Sequence, residues 1–136
     1  MAYAGYLVKI GATELPMKYI QLSSYTVTPN QRLDIEAERD ATGVLHREVV
    51  DHTASKIEFS TPHIKGSEVA VLNAMLQAAY TDVKSRSITI EYFDPETNGY
   101  KTADCYMPDV EYNIYSVGLV ADEVLYNPVR YAFIEY

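Results

Sequence analysis

The chain has 136 residues, 48% hydrophobic and 22% charged, with a formal net charge of −8. That length supports one ordinary domain with its own core, and the composition lies well away from disorder. The 11 Lys and Arg are scattered singly among 19 Asp and Glu, which excludes the clustered cations a nucleic-acid reader needs.

An acidic surface still has a use near DNA, because it repels phosphates and prevents sticking. The lone cysteine, Cys105, has no internal partner for a disulfide, which fits a reducing compartment. The longest uncharged apolar stretch, residues 69–80, falls short of the ~20 residues a membrane helix needs. Residues 1–6 lack a basic region followed by an apolar run, so a secretion signal is not expected. The expected place of synthesis and first residence is a cytoplasm.

In chain order, strand signals dominate. Residues 3–10 read as a strand with Ala4, Tyr6, Val8 and Ile10 on one face, followed by a turn over 11–16 and a second strand over 18–27. Residues 28–55 are polar and carry Arg32, Asp34, Glu36, Glu38, Arg39, Asp40, Arg47, Glu48 and Asp51. Asp40-Ala41-Thr42-Gly43 is a turn that would fold this stretch into a hairpin. A loop this long inside a small domain is commonly functional or disordered, and its mixed charges suit an arm that touches a neighbouring subunit, the alternative being a mobile surface loop.

Residues 56–60 alternate, with Ile57 and Phe59 on the buried side. A helix is predicted over 67–82, with Ser67 as N-cap and Glu68 in the first turn. Its core stripe is Val69, Leu72, Leu76, Ala79, Tyr80 and Val83, at helical spacing against a sheet. Ile88, Ile90 and Tyr92 share one face of a strand over 87–93. Asp94-Pro95-Glu96-Thr97-Asn98-Gly99 is the strongest turn signal, and residues 100–107 return antiparallel until Pro108 breaks the strand. Strands over 110–117, 123–126 and 131–136 follow.

The residue types that carry chemistry are sparse. His46, His52 and His63 lack the further ligands of a zinc site and read as surface residues. The 94–99 segment resembles the start of a calcium loop, but its twelfth position is Cys105 where a bidentate glutamate belongs. Cys105 itself, mid-strand and without basic neighbours, reads as a buried structural thiol. No nucleophile elbow or phosphate-binding glycine loop occurs, so neither an enzyme nor a cofactor is expected.

Tyrosine is abundant, with 13 residues and no tryptophan. Tyr112 and Tyr115 would point to opposite faces of one strand, as would Phe133 and Tyr136. Strands apolar on both faces are packed on each side or form subunit contacts. Tyrosine-rich surface also suits saccharide binding.

Six segments together resemble a family of small tail proteins of long-tailed phages and prophages of Gram-positive bacteria. They are residues 3–10 (YAGYLVKI), 25–32 (YTVTPNQR), 56–59 (KIEF), 92–97 (YFDPET), 106–109 (YMPD) and 126–136 (YNPVRYAFIEY). The resemblance implies a mainly β, tail-tube-like sandwich or barrel spanning 1–136, with one flanking helix and a long loop or hairpin over 28–55. It implies hexameric rings in the tail tube or at the distal tail and baseplate, assembled in the host cytoplasm and ending in the virion tail. The implied partners are copies of the chain and other tail proteins (tube, tape measure, baseplate), with DNA passing through the lumen unread and no membrane involved. The candidate interface residues are Arg32, Asp34, Glu36, Arg39, Asp40, His46 and Arg47 on the arm, with Tyr112, Tyr115 and Tyr136 as interface aromatics. The alternatives are a monomeric β-sandwich module for a host-surface saccharide and, without positive support, a small hydrolase with dispersed carboxylates.

Overall fold

The computed structural model describes residues 3–32, 34–49, 51–120 and 123–136. The first strand, β1 (Val8–Ile10), is shorter than the expected 3–10, because Gly5 adopts a φ of 96° and breaks the extended run ahead of it. Gly11 turns the chain into β2 (Thr13–Glu14) with a φ of 60°. A Cβ on Gly11 would lie 3.3 Å from the Ala79 Cβ, so glycine also lets the end of the helix approach this turn.

Of the strand expected over 18–27, Thr26 and Val27 are extended, at the start of the next strand, and the rest is not. Two 3-10 turns, Met17–Tyr19 and Leu22–Ser24, stand in its place. Pro16, at φ −58°, starts the first turn, and Leu15, Tyr19 and Ile20 are all buried. The Tyr19 N–H donates to the Pro16 carbonyl (3.1 Å) and the Ile20 N–H to the Met17 carbonyl (3.1 Å), so these groups are spent within the turn and not on a ladder.

Four strands follow: β3 (Thr26–Gln31), β4 (Asp34–Arg39), β5 (Leu45–Val49) and β6 (Ala54–Ser60). The short β7 (Ile64–Lys65) runs directly into α1 (Gly66–Ala79). Lys65, not Ser67, occupies the N-cap position, and no side chain caps the helix. Val69, Leu72 and Leu76 are buried as expected. Val83 is 70% exposed, because the helix stops at Ala79 and the chain enters β8 (Tyr80–Asp82) before reaching it.

The remaining strands are β9 (Ser87–Asp94), β10 (Gly99–Tyr106), β11 (Ile114–Val120), β12 (Glu123–Tyr126) and β13 (Arg130–Glu135). β9 and β10 form a hairpin in unbroken register from Gly99↔Asp94 to Tyr106↔Ser87. Buried Asp94 closes its turn by accepting hydrogen bonds from the Glu96 N–H (3.1 Å) and the Thr97 hydroxyl (3.3 Å), and its other pairing is with Lys101 Nζ at 3.1 Å. Asn98, at φ 53°, supplies the left-handed residue that the turn needs. The strand expected over 110–117 starts later, at Ile114.

The main sheet has the order β2-β1-β9-β10-β13-β6-β3, with β8 also pairing β9. A three-stranded sheet, β11-β12-β7, and a two-stranded one, β4-β5, complete the pairing. The mainly β class with one α-helix agrees with the sequence reading, but the strands do not close into a barrel: β2 and β3 end the main sheet. Burial alternates along β6 and β9, so Ile57, Phe59, Ile88, Ile90 and Tyr92 face one core with Phe133, Tyr131 and the helix stripe. Phe59 stacks on Tyr131 and Phe133 at centroid distances of 5.7 and 6.5 Å.

Candidate functional site

The polar stretch over 28–55 divides into three parts. Residues 28–31 belong to β3 and pair with β6, and Ala54 and Ser55 lie in β6 itself. Between them stands the β4–β5 hairpin, whose strands pair with each other and with no other described strand. Every described side chain from Ile35 to Glu48 is exposed. A six-residue strand is about 20 Å long, so the hairpin presents a sizeable surface that supports no part of the core.

The hairpin is nevertheless well specified locally. Asp40 accepts from the Thr42 hydroxyl (2.6 Å), the Thr42 N–H (2.9 Å) and the Val44 N–H (3.1 Å), and its second oxygen meets His46 Nε2 at 2.9 Å. The Thr42 hydroxyl, followed by His46, holds the Asp40 carboxyl down at about 2. Gly43 takes a φ of 87°, and Arg39 Nη1 donates to the Gly43 carbonyl at 2.9 Å. The expected turn at Asp40–Gly43 therefore fixes the register.

That register sorts the charges. Glu36 lies opposite Glu48 and Glu38 opposite His46, while Ala37 lies opposite Arg47 and Arg39 opposite Leu45. Side chains directly opposite share a face, and neighbours along a strand alternate. One face therefore carries Glu36, Glu38, Glu48 and His46, and the other carries Ala37, Arg39, Leu45 and Arg47. A shallow hollow of about 340 Å³ is lined by the four residues of the acidic face together with Arg47. A bulge between Asp34 and Glu36 holds Ile35, which is 62% exposed. The side chain of Asp34 lies outside the described residues.

The other candidates sit elsewhere. Arg32, at the base of the arm, donates from Nη1 to the Asn30 carbonyl at 2.6 Å. Tyr112 precedes β11, so it does not share a strand with Tyr115. Its ring packs on Tyr126 (6.0 Å), and its hydroxyl accepts from Asn73 Nδ2 at 3.1 Å. Tyr136 packs on Tyr106 (5.5 Å), and its carbonyl accepts from His52 Nε2 at 2.7 Å, whereas Phe133 is fully buried. His46 and His52 thus have separate partners, Asp40 and the Tyr136 carbonyl.

Tyr115 packs at a tilt on His63, centroids 4.7 Å apart, and stays exposed on β11, beside Ile114 and Val117. β11 is the outer strand of its sheet, so these apolar residues line an open edge. The structure brings together Glu36, Arg39, Asp40, His46 and Arg47 on the hairpin and keeps all three aromatics off it. The sequence reading missed Ile35, Val44, Leu45, Ile114 and Val117 as exposed apolar positions. The alternation Asp34-Ile35-Glu36-Ala37-Glu38 carried the signal for the first of these.

A cleft of about 360 Å³ lies beside α1, lined by Asn73, Gln77, Tyr80, Arg86, Met107 and Tyr112 among others. Arg86 Nη1 already donates to Asp109 at 2.8 Å. Cys105 is fully buried, and burial first, then Glu135 and Asp104, push its thiol up to about 12, so it is not poised as a nucleophile. Among the described residues, no three His, Cys, Asp or Glu are grouped to hold a metal ion, and no helix is long and apolar enough to cross a membrane.

No curated protein and no solved structure matches the chain. The family described as a family of unknown function (DUF6711) matches residues 1–136, and the chain belongs to it.

Proposed function

We propose that the chain is a structural subunit of a phage tail, building a ring with copies of itself in the tail tube or at the distal tail. The observation that carries this reading is the β4–β5 hairpin, an arm whose strands pair with each other and whose described side chains from Ile35 to Glu48 lie outside the core. A two-stranded hairpin is marginal by itself in water, and this one leaves Ile35, Val44 and Leu45 exposed at 62, 54 and 45%. Covering what those three expose is worth about 1 kcal/mol each. The apolar open edge of β11 points the same way, because such an edge pairs or aggregates unless a neighbour covers it.

The resemblance supplies the rest of the reading: six subunits to a ring, tube, tape-measure or baseplate proteins above and below, and DNA passing through an acidic lumen without sequence recognition. No catalysis or cofactor is part of the role, which is exercised in the virion after assembly in the host cytoplasm. Antibody labelling of intact virions, with negative-stain images of the purified chain, tests it. Labelled tails and ring-shaped particles are expected; a chain absent from virions and dispersed as monomers would refute it.

A second reading, a saccharide-binding module, has one observation in its favour: the cleft that Tyr80 and Tyr112 line with the amides of Asn73 and Gln77. Glycan-array binding lost on Tyr112→Ala, with the fold intact, would favour it.

A further inference from the structure

The charge segregation of the hairpin specifies more than assembly in general. We propose that neighbouring copies stack their hairpins head to tail, the acidic face of one against the Arg39/Arg47 face of the next. This rests on the assembly reading above and names the surface and the polarity of the contact.

Three observations lead to it. First, the two faces of one hairpin are complementary to each other. Glu36, Glu38 and Glu48 lie on one side, and Arg39 and Arg47 with apolar Ala37 and Leu45 lie on the other. Second, Glu36 stands directly opposite Glu48, a like-charge pair that destabilises an isolated hairpin. Arg47 borders the hollow that this pair lines within the chain, and a cation brought by a neighbour would relieve the repulsion further. Third, with 11 Lys and Arg against 19 Asp and Glu, cations are scarce over the chain as a whole, and the hairpin carries two of them, Arg39 and Arg47.

The polarity follows from the same pattern. A two-fold contact places each face on its own copy, carboxylate against carboxylate or guanidinium against guanidinium. Only opposite faces match, and a contact between unlike surfaces propagates as a closed ring or an open filament rather than ending at a dimer.

The test uses the full chain in three variants. Glu36→Lys, Glu38→Lys and Glu48→Lys together make both faces basic; Arg39→Glu with Arg47→Glu makes both acidic; the five changes combined exchange the two faces. Circular dichroism and thermal melting check that each keeps its fold, which is expected because none of these side chains enters the core.

In sedimentation velocity at low salt, each single-face variant is expected to need at least tenfold more protein than the wild type to assemble. Their equimolar mixture should recover assembly, because the basic variant's reversed face meets the acidic variant's reversed face in alternation. The five-fold variant should assemble with itself and not join wild-type particles. Wild type that assembles while the single-face variants assemble equally well, or whose variants stay dispersed when mixed, would overturn the head-to-tail contact and leave the assembly reading standing. A wild type that never leaves the monomer would overturn both.

Discussion

Excision of the arm should separate folding from the proposed assembly. Gln31 is paired with Ala54 across β3 and β6, so the chain can pass directly between these strands. Replacing residues 32–53 by a four-residue turn built around Asn-Gly turns β3 and β6 into an ordinary hairpin. Shortening the connection from about 22 residues to 4 recovers about 1.5 kcal/mol of loop-closure entropy. Against this stand the exposed Arg32 bond to the Asn30 carbonyl and the His52 bond to the Tyr136 carbonyl, about 1 kcal/mol each at most. The two contributions nearly cancel, so the unfolding free energy should change by less than about 1 kcal/mol. The control is Phe133→Ala, which empties a fully buried site against Phe59 and should cost about 3–5 kcal/mol. Urea denaturation followed by far-ultraviolet circular dichroism measures both. A loss above about 2 kcal/mol on excision, or a transition that is no longer cooperative, would show that the arm belongs to the folding unit and refute the reasoning.

Two further predictions concern the core. Asp94→Ala removes the acceptor for the Glu96 N–H and the Thr97 hydroxyl and the partner of Lys101, so it should cost about 1–3 kcal/mol in the same assay; an unchanged midpoint would mean that the turn holds itself. Cys105 should resist thiol reagents in the folded chain and react at once in denaturant. Its folded thiol keeps a proton that the unfolded chain releases above about pH 8.5, so stability should fall as pH rises from there toward 12, by up to about 1.4 kcal/mol per unit. Tyr6, raised to about 12 by its hydrogen bond to Glu91 and by burial, adds to the fall in the same direction above pH 10. Stability that holds level between pH 8 and 10.5 would contradict the buried thiol.

The sheet was largely legible in the chain because burial alternates where the sequence alternates. Ile57 and Phe59, and Ile88, Ile90 and Tyr92, lie on the faces their period assigns them. The stretch over 18–25 misled because its apolar residues suit a strand by type, while Pro16 starts a turn and the backbone N–H groups of Tyr19, Ile20, Ser24 and Tyr25 bond three residues back. The helix was legible in its middle and not at its ends, where β7 and β8 fix the boundaries through tertiary pairing.

The candidate surface was half legible. The turn at Asp40–Gly43 announced a hairpin, but a hairpin exposed on both faces has no hydrophobic side to orient it. Which charges oppose which depends on a register that only the finished turn sets. The tyrosines were harder still. Their partners lie far away in sequence, as Tyr6 with Tyr100 (4.7 Å) and Tyr106 with Tyr136 show, so exposure could not be read from the strand pattern alone.

If copies of the chain cover this surface, as proposed, then assembly requires the arm. Sedimentation velocity of the wild type over a wide concentration range, run beside the arm-excised chain, tests it most directly. The wild type should sediment as a discrete multiple of the 15.3 kDa subunit and the excised chain as a monomer at every concentration. Identical monomeric behaviour of both, or assembly that survives excision of the arm, would contradict it.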